Sequence, residues 1–145
     1  MIYIDTSAAL LVLLDQGGAA SVEDFLSGLG DRERVVSSVL LRIEMSRALR
    51  RERLSLTIAQ DFLDGVELVA INNDVVERAC SVTGELKSLD AIHLATALLL
   101  DDPRDPVTVL THDARLLDAA RGRGLTVIDP RSEEHTSELQ SLVII

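Results

Sequence analysis

Apolar runs of three to five residues alternate with longer stretches of helical periodicity along this chain, beginning at its second residue. Ile2-Tyr3-Ile4 is apolar throughout and runs into Asp5-Thr6-Ser7, after which residues 8–14 form a helical apolar run. A short strand with no polar face, followed at once by a helix, is how a central parallel strand of an α/β sheet begins. Ser7 is expected to cap that first helix, and Gly17-Gly18 to end it. A second helix is expected over 19–29, with Val22, Phe25, Leu26 and Leu29 on one face.

The same alternation continues to residue 128. A strand over 34–37 precedes a long helix over 38–52, whose core face carries Leu40, Leu41, Met45, Ala48 and Leu49. A helix over 57–63 and a strand over 66–71 come next, then a helix over 74–82. Ser88 is expected to cap a strongly apolar helix over 89–100, which Asp101-Asp102-Pro103 stops. Strands over 107–110 and 125–128 flank a helix over 114–121. Strands alternating with helices throughout predict a single α/β domain with a parallel, doubly wound sheet.

Residues 131–145 differ in kind from this pattern, and they read like a translated sequencing-library adapter. We expect the domain to occupy 1–130 and the natural protein to end near Pro130, with 131–145 a read-through tail.

Composition narrows the chemistry. Among 145 residues, aromatics make up 2% and tryptophan is absent, so the chain has no platform for stacking bases. The net charge is −10, which argues against general electrostatic binding of nucleic acid. Any action on nucleic acid needs a local basic face or a cation. Arg42, Arg47, Arg50, Arg51 and Arg53 supply one such face on and just after the long helix. It reads equally as phosphate contacts or as a solvated face with pairs such as Glu44 with Arg47. The single Cys80 excludes an internal disulfide and is expected to be a small buried residue. With no leader and no apolar run near the ~18 residues of a membrane span, a cytoplasmic protein is expected.

Four carboxylates stand out by position: Asp5 after the first strand, Glu44 in the long helix, Asp90 in the first turn of the apolar helix, and Asp113 after the fourth strand. Singly, each is an ordinary surface or helix-start residue. If the first and fourth strands are neighbours, Asp5 and Asp113 share one crevice above the sheet. Clustered carboxylates repel unless a cation neutralises them, and hard divalent ions prefer oxygen ligands. Such a site suits phosphoryl-ester hydrolysis.

Four stretches then carry a resemblance. Tyr3-Ile4-Asp5-Thr6-Ser7-Ala8, Glu44-Met45-Ser46-Arg47-Ala48-Leu49, Leu89-Asp90-Ala91-Ile92-His93-Leu94-Ala95-Thr96-Ala97 and Leu110-Thr111-His112-Asp113 resemble, in order and spacing, the PIN-domain family. Within it they are most similar to the VapC-like toxins of prokaryotic toxin–antitoxin pairs. The resemblance implies a three-layer α/β/α fold with a mostly parallel sheet of about five strands. It also implies an Mg²⁺- or Mn²⁺-dependent endoribonuclease with an RNA substrate, a homodimer, and inhibition by a cognate VapB-like antitoxin. By the same resemblance Asp5 and Asp90 are direct metal ligands, while Glu44 and Asp113 bind through water, hold a second ion or orient the nucleophile. Thr6 and Thr111 support the ligands as hydroxyl donors, and Arg47 contacts substrate. His93 is read as a packing and hydrogen-bonding residue.

Other readings fit less well. A phosphatase with Asp5 as nucleophile wants a second aspartate two residues on, where Ser7 stands. A phosphoacceptor signalling domain wants a lysine after the last strand, and the only lysine is Lys87. The alternative kept is a non-catalytic PIN-like module that binds RNA or protein.

Overall fold

The computed structural model describes residues 1–130, so the expected tail lies outside the described residues. Five strands form one sheet: β1 (Ile2–Ile4), β2 (Val35–Ser38), β3 (Glu67–Val69), β4 (Thr108–Leu110) and β5 (Thr126–Ile128). Their order is β3-β2-β1-β4-β5 and every pairing is parallel. The helices are α1 (Thr6–Leu13), α2 (Ala19–Leu29), α3 (Val39–Arg51), α4 (Thr57–Leu63), α5 (Asn73–Ser81), α6 (Ser88–Leu100) and α7 (Ala114–Gly122).

The three layers follow from the alternation of side chains along a strand. Ile2 and Ile4 point to one face and pack with Leu11, Val22, Phe25, Leu29, Leu41, Met45 and Leu49 from α1, α2 and α3. Tyr3 points to the other face, where Val36, Val109 and Val127 meet Leu94 and Ala97 of α6 and Leu116, Leu117 and Ala120 of α7. All three residues of β1 are essentially inaccessible to solvent, as a central strand covered on both faces requires.

The strand order reverses at β1. Chain growth runs outward through β2 and β3 on one side, then crosses to β4 and β5 on the other. Ile4 pairs with Leu110, so the ends of β1 and β4 open side by side. A crevice at this switch point is where open α/β sheets place their ligands.

Three local expectations are corrected. The first helix is capped by Asp5, not Ser7: the Asp5 carboxylate accepts from the Ala8 N–H at 3.0 Å, and the helix starts at Thr6. Ser88 is the first residue of α6, and the residue before it, Lys87, makes no side-chain cap. Cys80 is exposed. Helix α5 fully buries only Val75, so its contact stripe is too narrow to include Cys80. The third strand is also shorter than expected, Glu67–Val69, because it is an edge strand with one partner, β2. Ser38 caps α3 by accepting from the Leu40 N–H at 3.1 Å. No helix among the described residues is long and apolar enough to cross a membrane.

Leu41 of α3 has no exposed surface and packs in the cluster around Ile2 and Ile4. Leu41→Ala should lower unfolding stability by about 2–5 kcal/mol, the range for a buried leucine truncated in a core that collapses only partly. Urea denaturation measures it; a change within error would mean that this layer is loosely packed.

Candidate active site

Asp5 stands at the carboxyl end of β1, where the chain turns into α1, and only 3% of it is exposed. Its buried carboxylate is held by three donors. The Ser7 hydroxyl lies 2.8 and 2.9 Å from Oδ1 and Oδ2, the Ala8 N–H reaches Oδ1, and the Thr111 hydroxyl donates to Oδ2 at 2.6 Å. A carboxylate offers about four lone-pair positions, so three protons leave one position open. Burial still pushes the Asp5 carboxyl above its usual range, although His93, Thr111, Ala8 and Ser7 all act in the opposite direction.

The loop after β4 is tied to the same point. Ser7 Oγ accepts from the His112 N–H at 2.8 Å, and Thr111 Oγ1 accepts from the Asp113 N–H at 3.0 Å. Asp113 is therefore one hydroxyl away from Asp5. Its own Oδ1 caps α7, accepting from the N–H groups of Arg115 and Leu116 at 2.9 and 3.2 Å.

Glu44 reaches the crevice from the second turn of α3. Its Oε1 accepts from the Thr6 hydroxyl at 2.6 Å and lies 2.9 Å from His93 Nε2. Burial raises the Glu44 carboxyl, but the hydrogen bonds from His93 and Thr6 and the electrostatic influence of His93 outweigh it. The group sits below its ordinary range. Pairing of Glu44 with Arg47 does not occur: Arg47 is exposed and has no ion-pair partner among the described residues. It instead lines, with Arg42, Ile43 and Leu68, an open cavity of about 500 Å³ beside α3.

Asp90 lies in the first turn of α6, half-buried, with no hydrogen-bond donor among the described residues. Its carboxyl is raised first by burial, then by the charge of Asp113. His93 and Lys87 oppose the shift and Glu44 adds to it. Asp5, Glu44, Asp90 and Asp113 thus belong to one electrostatic neighbourhood, assembled from four elements.

Ser7, Tyr3 and the Ser37 hydroxyl are parts that sequence reasoning did not assign. Ser37 is buried beside the site and donates to the Ile4 carbonyl at 2.6 Å. The hydroxyl-rich run Thr6-Ser7 after a strand was the only signal for Ser7. Nothing local in the sequence marks Tyr3 as more than a core residue.

Among the described residues, no three His, Cys, Asp or Glu side chains converge on one metal position. The donor chemistry nevertheless fits a hard divalent cation. The facing groups are carboxylates, Asp5 keeps one open lone-pair position behind a shell of donors, and Asp90 is short of positive charge. Asp5 and Asp90 would hold the ion, with Glu44 and Asp113 flanking it.

Fold and site together define an α/β/α protein with an acidic crevice at the switch point of a parallel sheet. The PIN domain family model matches residues 2–122. The chain belongs to the PIN-domain family and is VapC-like within it. It is 31% identical over 134 residues to Ribonuclease VapC47 of Mycobacterium tuberculosis (strain CDC 1551 / Oshkosh), covering 90% of this chain and 97% of that protein. It is 34% identical over 131 residues to Ribonuclease VapC46 of Mycobacterium tuberculosis (strain ATCC 25618 / H37Rv), covering 89% and 97%. A solved structure, a toxin–antitoxin complex from Klebsiella pneumoniae, superposes with a TM-score of 0.65 at 19% identity, covering 90% of this chain and 98% of that one. At that identity the likeness concerns the fold.

The raised Asp90 carboxyl has a consequence for stability. The folded state holds this proton more tightly than the unfolded chain, whose aspartate titrates near ~3.9. Asp90 therefore favours folding below that pH, and the contribution is lost as pH rises through the folded-state value. In chelator, Asp90→Asn should gain melting temperature relative to the parent as pH is taken from acid to neutral. A difference that does not change with pH would show that Asp90 is not crowded by its neighbours.

Proposed function

We propose that the chain is an endoribonuclease that hydrolyses RNA phosphodiester bonds with Mg²⁺ or Mn²⁺, acting in the cytoplasm as the toxin of a toxin–antitoxin pair. The observation that carries this reading is the crowding of Asp90 by Asp113 and Glu44 beside the switch point at which Asp5 stands, with no ion pair for Asp90 among the described residues. The names of the VapC relatives and of the toxin–antitoxin structure support RNA as the substrate class and an antitoxin as partner; a homodimer is part of the same proposal.

When bound, a divalent cation supplies Lewis acidity toward a phosphodiester oxygen and offsets the negative charge that develops there. The residues of the chain do the rest. Asp5 is fixed to a single orientation by Ser7, Ala8 and Thr111, so its open position is preorganised. Glu44 is fixed by Thr6 and His93. Asp113, anchored as the cap of α7, closes the crevice from the β4 side. Arg47 and Arg42, exposed beside α3, are placed to meet RNA phosphates and counter the acidity of the protein.

Residues 1–130, parent and Asp5→Asn, incubated with total RNA in Mg²⁺, Mn²⁺ or chelator, test the reading. Discrete fragments should appear with metal only and be absent from the variant, whose shape is unchanged but whose charge is gone. Stable RNA binding without cleavage in any condition would move the assignment to a non-catalytic binding module.

Two further measurements bear on the ion and the basic face. Millimolar Mn²⁺ should raise the melting temperature by mass action, by about 2.7 kcal/mol in stability at a hundred times the dissociation constant; no rise would remove the metal from the site. Arg47→Ala should raise KM and lower the salt slope of RNA binding by about one. A kcat loss at constant KM would instead place Arg47 at the reacting phosphate.

A further inference from the structure

We infer that Tyr3 and His93 are positioning residues: the Tyr3 hydroxyl fixes the imidazole so that its Nε2–H holds Glu44 by one oxygen and leaves the other Glu44 oxygen to the acidic crevice. The inference rests on the nuclease reading for its kinetic consequence, but not for its geometry.

His93 is 2% exposed, and all its polar contacts lie within the protein. Nδ1 is 2.7 Å from the Tyr3 hydroxyl. Nε2 is 2.9 Å from Glu44 Oε1 and 3.2 Å from Thr6 Oγ1. The Tyr3 and His93 rings pack edge to face, with centroids 5.8 Å apart and an interplanar angle of 77°, so the imidazole cannot turn without displacing a fully buried tyrosine.

The protons can be assigned from the acceptor. An ionised carboxylate has only lone pairs to offer, so a hydrogen bond between Glu44 Oε1 and Nε2 requires the proton on Nε2. Nδ1 is closed by the Tyr3 hydroxyl at 2.7 Å, which fixes the edge of the ring that meets Glu44. Burial pushes the phenol up, which keeps its proton in place. The Thr6 hydroxyl donates to the same Oε1, so both donors occupy that oxygen. Oε2 receives no donor among the described residues and is left to the crevice that it shares with Asp90.

The chain Tyr3–His93–Glu44 therefore spans from the far face of β1 to the site, across 90 residues of sequence between Tyr3 and His93. Hydrogen-bonded supports of this kind set the orientation of a ligand carboxylate, and their loss typically lowers metal affinity or activity by about 10- to 100-fold.

Two measurements decide it. A long-range ¹H–¹⁵N imidazole spectrum of the metal-free parent at neutral pH should show a proton on His93 Nε2. A ring whose Nε2 carries no proton overturns the inference whatever the enzyme does. Second, Tyr3→Phe should lower kcat roughly 10-fold at unchanged KM, because Glu44 faces the reacting centre and not the binding groove. His93→Gln, whose amide nitrogen replaces Nε2, should retain more kcat and more Mn²⁺ affinity by calorimetry than His93→Asn, which replaces Nδ1. Equal losses in the two variants would reduce His93 to a packing residue. If the parent cleaves no RNA, the nuclease reading falls, while the spectrum and the Mn²⁺ affinities still decide the positioning of Glu44. If the parent cleaves but His93 Nε2 carries no proton, the positioning falls and the nuclease stands.

Discussion

A carboxylate buried at the end of a central strand is costly unless several donors surround it, and Asp5 is such a group. Its donors are not local conveniences. Ala8 N–H requires α1 to start at Thr6, Thr111 requires β4 to end beside β1, and Ser7 requires the loop at His112 to close over the site. Satisfying one anion thus fixes the helix entry, the strand pairing and the loop after β4 together. The acidic crevice and the structural switch point are one feature because the same side chain organises both.

The acids around Asp5 are treated unequally, and the inequality is informative. Glu44 is lowered by two donors on one oxygen, and Asp5 is raised by burial despite three donors. Asp90 has burial and like charge against it and no donor among the described residues. A structural salt-bridge network would supply a cation from the chain for the worst-placed member. Here Lys87 eases Asp90 without forming an ion pair, and the α3 arginines face outward. Carboxylates crowded together without a paired cation from the chain are the physical content of the metal proposal.

Much of this was legible in the sequence because the fold is written in periodicities. Five apolar runs of strand length, separated by helical stretches, predict the parallel sheet, and each observed strand overlaps one of them, with β2 reaching one residue further, to Ser38. Asp5, Asp90 and Asp113 were legible as strand-end or helix-start residues and Glu44 as an acid within the long helix, and the β1–β4 neighbourhood that unites Asp5 with Asp113 is now observed. What failed were choices between adjacent residues with similar chemistry. Asp5, Thr6 and Ser7 are all competent caps, and only the geometry of α1 selects Asp5. Cys80 was misplaced because α5 buries a narrower stripe than its apolar content suggests.

Contacts between remote residues were not legible at all. Tyr3 looks like any large residue in a strand, and its hydroxyl acquires a role only because α6 crosses the far face of β1 and presents His93 to it. This also bears on the scarcity of aromatic residues. In a chain with 2% aromatics, the one tyrosine occupies a fully buried position that a phenylalanine, lacking only the hydroxyl, would fill nearly as well. Packing alone does not require a phenol there, and a buried hydroxyl costs free energy unless it is hydrogen-bonded. Its partner is the ring that holds Glu44, so the polar atom at that position is best accounted for by the site and not by the core.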